Sequence, residues 1–197
     1  MNWIRHTRAA LLSVAVLAVA DPASAQAPAP LAPLPQDCQA PGVTIAPDRP
    51  LANLAAVLKE RKKITILAIG ASSIGQRDST AGGYHKLIQS FLERTFKGLD
   101  VAIVNRGVSG ELARDAGERI KTEVALTGAD LVLWQLGTAD AMGLVPIEQF
   151  KSDVGETLIW LKQHKIDTVI IGLRFARGLA QDLHYQAIRN AVADLAK

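Results

Sequence analysis

Four runs of this sequence are apolar at almost every position: ITILAI at 64–69, VAIV at 101–104, LVLWQL at 131–136 and TVIIGL at 168–173. A strand with one wet face alternates apolar and polar residues, so runs like these require helices covering both faces, as in a parallel sheet. The segments between them carry apolar residues at helical spacing. Tyr185, Ile188, Val192 and Leu195, for example, would lie on a sheet while the opposite face stays in water. The order predicts helix at 51–61, strand at 64–69, helix at 82–96, strand at 101–104 and helix at 111–126. It continues with strand at 130–136, helix at 147–165, strand at 168–173 and helix at about 180–196. The predicted fold class is α/β, a three-layer α/β/α sandwich on a parallel sheet with four strands visible. Ligands of such sheets sit beyond the carboxyl ends of the strands, here the loops 70–82, 105–110, 137–146 and 174–178.

What precedes the first run has a different character. Met1 to Ala25 reads as a secretory signal, with Arg5 and Arg8, an apolar stretch from Ala9 to Ala20, and Ala23-Ser24-Ala25 as a cleavage site. The stretch is shorter than the roughly 20 residues that cross a bilayer, so removal, with no membrane segment left behind, is the expectation. The predicted location is periplasmic or secreted. All but one of the nine prolines fall from Pro22 to Pro50, so residues 26–50 read as a Pro/Ala-rich linker and 51–197 as the folded domain. The net charge of +3 drops closer to neutral once the leader is removed, which gives no argument for nucleic acid or an anionic membrane. Cys38 is the single cysteine and lies in the linker, so no intramolecular disulfide can form.

Chemistry then has to come from the loops. Gly70-Ala71-Ser72-Ser73-Ile74-Gly75 follows a buried strand directly. It has the glycine spacing of a phosphate cradle, but Gln76-Arg77 stand where Lys and Ser/Thr would reach phosphate and magnesium. It can also be a plain structural turn. A third reading makes Ser72 a nucleophile raised above the sheet beside backbone N–H groups that would hold an oxyanion.

Two further loops bear on these alternatives: Asn105-Arg106-Gly107-Val108-Ser109-Gly110 and Gly137-Thr138-Ala139-Asp140. Together with Gly70-Ala71-Ser72 they resemble the SGNH (GDSL-like) hydrolase superfamily. Its G-D-S, glycine and G-x-N-D blocks follow the first three strands in that order. The resemblance covers about 64–173 and implies a flavodoxin-like sheet, no cofactor or metal, and ester bonds of a small molecule or carbohydrate as substrate. By position, Ser72 would attack the carbonyl and Gly107 would donate to the oxyanion. Ala71 stands in the aspartate place and Ala139 in the asparagine place, so one of three oxyanion donors is missing, a loss of about 10²- to 10³-fold in kcat.

The resemblance also implies a D-x-x-H block that supplies the base. His85 opens one predicted helix and His164 closes another, leaving His184 with Asp182 nearby. The spacing there is D-x-H, and the apolar pattern puts His184 on the helix after the fourth strand. Either the fifth strand and its histidine block are absent, which the pattern favours, or His184 and Asp182 form the dyad of a shortened fold. Loss of the block would leave the fourth strand as an exposed edge. The exported esterase has as its alternative a non-catalytic protein of the same fold that binds glycan or cell-envelope material. Glu111, Arg114 and Arg119 are expected on a solvated helix face.

Overall fold

A computed structural model describes residues 49–70, 83–174, 178–179 and 181–197. The leader and nearly all of the predicted linker lie outside the described residues, as do Ala71 and Ser72. Strands β1 (Lys63–Gly70), β2 (Asp100–Gly107), β3 (Leu131–Gln135) and β4 (Asp167–Ile171) form one sheet in the order β2-β1-β3-β4. All three pairings are parallel. The helices among the described residues are α1 (Ala52–Glu60), α2 (Gly83–Thr95), α3 (Ala113–Thr127), α4 (Thr138–Met142), α5 (Ile147–Gln163) and α6 (Leu183–Leu195).

Alternate residues of the apolar runs go to opposite layers. Ile64, Ile66 and Ala68 of β1 pack with Val101, Leu133 and Leu54, against which Ile88 and Leu92 of α2 lie. Leu67 and Ile69 enter the other core with Val132, Trp134, Ile120 of α3, Phe150 of α5 and Ile188 of α6. The right-handed crossover rule requires this division. The chain moves one way from β1 to β2 through α2, then back across β1 to β3 through α3, so α2 and α3 must cover opposite faces. The reversal opens a crevice at the carboxyl ends of β1 and β3.

The central strands β1 and β3 are buried almost throughout, whereas β2 and β4 at the two edges are largely half-buried. A continuous apolar run therefore marks membership of the sheet and not its centre. The loop expected at 137–146 holds a helix, α4, and the helix expected from Glu111 begins at Ala113.

β1 ends at Gly70, whose φ of +117° lies in a region that L side chains avoid. A methyl group there would overlap the backbone carbonyl of Gln135 on β3. Gly70→Ala is expected to lower stability by about 2–4 kcal/mol through strain and strand separation, read as a fall in the midpoint of thermal denaturation by circular dichroism.

Candidate active site

Three glycines end the strands on one side of the sheet. Gly70 and Gly107 are register partners across β1 and β2, and Gly137 follows β3 by two residues. The Val108 N–H donates to the Gly70 carbonyl at 2.8 Å, extending the β1–β2 ladder into the second loop. Gly137 is the N-cap of α4 at φ +97°. A Cβ on it would collide with Leu173 and press on Ile188, so its bare backbone lets the segment after β4 and helix α6 close over this end of the sheet.

The third loop is built around Asp140, which is 2% exposed. Its Oδ2 accepts the Gly137 N–H at 3.2 Å, and its Oδ1 accepts the Ala113 N–H at 3.0 Å. Helix α3 has no side-chain cap of its own, and this carboxylate from another element meets one of its orphan N–H groups at the positive end of the helix dipole. One side chain thereby joins the second loop to the third. The motif match alone does not announce this role; the recognisable signal is an acidic residue in the first turn of α4, reaching back to the N-cap N–H.

A second tie links the third loop to α6. The Thr138 hydroxyl accepts the Arg174 N–H at 2.9 Å, and the Tyr185 hydroxyl donates to the Arg174 carbonyl at 2.9 Å. Thr138 adjoins Ala139, and Tyr185 adjoins His184, so the third block and His184 share one end of the sheet. Ala139 is half-buried in the first turn of α4. His184 is in the first turn of α6; its Nε2 is buried with no partner among the described residues. Asp182 is the N-cap of that helix, and its carboxylate accepts the Tyr185 N–H at 2.7 Å. A cavity of about 280 Å³ opens beside these groups, lined by Ala141, Met142, Leu144, Leu179, Asp182 and Tyr185.

In the second loop the Gly107 N–H is already donated to the Asn105 carboxamide at 3.0 Å, an Asx turn. Gly110, at φ +76°, has open space where its Cβ would stand, and among the described residues its N–H meets no backbone carbonyl. It is a second candidate donor, and its signal is the paired glycines of Asn105-Arg106-Gly107-Val108-Ser109-Gly110. Glu111 precedes α3 and its side chain is only 5% exposed, ion-paired to Arg119. It thus departs from the expected solvated face, which Arg114, bonded to Asp115 at the surface, does keep. Burial pushes the Glu111 carboxyl up, partly offset by Arg119. His164 closes α5, stacked on Trp160 with ring centroids 3.9 Å apart, and His85 lies in the first turn of α2.

The parallel sheet, the family match and the solved structures that share this fold support assignment to an SGNH-like hydrolase superfamily. The chain belongs to the Non-GDSL lipase-like family, which it matches over residues 37–197. Its fold is similar to the psychrotrophic esterase EstA from Pseudoalteromonas sp. (TM-score 0.57, 16% identity, 67% of this chain and 71% of that one). It is also similar to TesA (0.57, 21%, 67% and 74%). A third likeness is to Axe2, an acetylxylan esterase from Geobacillus stearothermophilus (0.59, 18%, 68% and 71%). No curated protein matches the sequence. Among the described residues no helix is long and apolar enough to cross a membrane.

Burial raises the Asp140 carboxyl above its ordinary value of 3.8, although the N–H bonds from Ala113 and Gly137 oppose the shift. A raised folded-state value means that the native chain holds this proton more tightly than the unfolded chain. The resulting stability is complete below the ordinary value and is lost as pH rises through the raised one. Asp140→Asn removes this pH dependence but offers one acceptor to two N–H donors. It is expected to cost about 1–3 kcal/mol at neutral pH and to flatten the stability profile above pH ~4, measured by urea denaturation.

Proposed function

We propose that this chain is an exported serine hydrolase of the SGNH type that cleaves ester bonds by acyl transfer through Ser72. The observation carrying the proposal is the Thr138–Arg174–Tyr185 tie, which joins the third block to the start of the helix that carries His184. Ser72 follows Gly70 by two residues in the sequence, and Gly70 ends β1 on the side of the sheet where α/β folds present reacting groups. His184 is the base. A buried ring nitrogen without a partner is costly, and a serine hydroxyl would satisfy it. The Gly110 N–H is an oxyanion donor, joined by the Gly107 N–H once it is released from the Asn105 carboxamide, with no side-chain contribution from Ala139. Asp182 lies beside the histidine as its candidate orienter.

The substrate is an ester with a short acyl group, on a small molecule or a carbohydrate. The cavity beside Asp182 and Tyr185, about 280 Å³, is at the small end of ligand pockets. Esterases with this fold include an acetylxylan esterase. The leader-like segment Met1–Ala25 supports a periplasmic or secreted location.

One observation favours a second reading. The Asp182 carboxylate is spent on capping α6, and an imidazole without an orienting carboxylate is a weaker base. In this reading the protein binds glycan or cell-envelope material without turnover. Hydrolysis of chromogenic acetate and butyrate esters separates the two. Ser72→Ala and His184→Ala are each expected to lower kcat by at least about 10³-fold while the folded chain persists; equal rates in all three proteins would overturn the enzyme reading.

A further inference from the structure

Arg119 lies on α3 and touches both ends of the second loop. Its Nη1 pairs with the Glu111 carboxylate at the loop's far end, and its Nη2 donates at 2.9 Å to the carbonyl of Arg106, where the loop leaves β2. That carbonyl belongs to the peptide unit whose N–H is that of Gly107, so holding the oxygen sets the direction of the N–H on the opposite side. Glu123, one turn along α3, stands 3.9 Å from the same guanidinium and accepts from Arg106 Nε at 2.8 Å. The Arg106 side chain is thereby drawn toward α3 while its carbonyl faces Arg119. The arrangement uses two separate donors of a planar fork, which a single ammonium cannot reproduce.

The burial of Glu111 adds a second, independent mark. The carboxylate is largely out of water, and its Oε2 has no hydrogen-bond partner among the described residues. A buried carboxylate with one unsatisfied oxygen costs stability compared with an apolar residue at the same place. A surface ion pair would be just as compatible with an α/β fold. The placement instead fixes the far end of the loop to the same guanidinium that fixes its near end.

We infer that Arg119 is a positioning residue. It clasps residues 106 and 111, fixing the peptide whose Gly107 N–H rests on the Asn105 carboxamide, so that the Gly110 N–H between them is held toward the reacting carbonyl. This inference rests on the esterase reading above, but its geometry can be read without turnover.

The test compares the wild-type chain with Arg119→Lys, which keeps a positive charge beside buried Glu111, and with Glu111→Ala, which frees the other end of the loop. Two readouts are taken: chromogenic acetate hydrolysis and amide hydrogen exchange at Gly107 and Gly110 by NMR. In both variants kcat should fall about tenfold or more with KM within about twofold. Exchange at Gly107 should quicken by about tenfold or more, while core amides of β1 and β3 keep wild-type rates. Wild-type exchange at Gly107 in both variants would overturn the inference, as would unchanged kcat in an active wild-type background. A wild-type chain without turnover counts against the esterase reading alone, and the exchange rates then decide this one.

Discussion

A single buried carboxylate ties together the loops at the carboxyl end of this sheet. Asp140 accepts one N–H from the cap of its own short helix and one from the start of α3, which belongs to a different crossover. Without it, α3 would begin with an orphan donor inside the protein, and the second and third loops would lose this polar contact. The cost is visible in the raised Asp140 carboxyl. The sheet beneath needs no such device, because its register comes from apolar residues committed to two opposite cores. The polar ties are concentrated where the strands end and where hydrophobic burial can no longer fix the chain.

The same logic recurs at the opposite end of the sheet. Asp167 at the start of β4 receives the Leu54 N–H and the Asn53 side chain of α1, and Asp130 receives the Thr65 N–H of β1. Carboxylates thus join helix starts and strand starts contributed by distant parts of the sequence. At the carboxyl end, Asp140, Glu111 and Asp182 each bind groups of the loops or of a helix start. Among the described residues, only that end also gathers strand-ending glycines, a histidine nitrogen without a partner and a cavity, and this combination separates the candidate site from the equally polar opposite end.

The layers, the parallel strands and every helix of α1–α3, α5 and α6 were legible in the apolar periodicity, because each run is long enough to carry its own pattern. Strand order was not, since ITILAI and TVIIGL look alike although β1 is central and β4 is an edge. Helix α4 escaped notice because it has only five residues and is supported by Asp140 and Gly137 rather than by an apolar stripe. The Glu111–Arg119 pair escaped for a related reason. Their separation exceeds the spacing at which charges meet along one helix, and Glu111 lies before the helix begins. The motif glycines were recognisable one by one. Which of Gly107 and Gly110 leaves its N–H exposed depends on an Asx turn that only the folded backbone reveals.

The second loop has its ends anchored from outside: by Arg119 at residues 106 and 111, and by Asp140 at Ala113. The side chains at its tip do not carry that work. Val108 is 46% exposed, and Ser109 beside it is exposed as well. Substitution at these two positions therefore changes what the loop presents to a ligand while leaving the peptide directions on either side intact. The architecture separates the part of the loop that must stay constant from the part that can diverge, so preference for one ester over another can drift in this fold without a new scaffold each time.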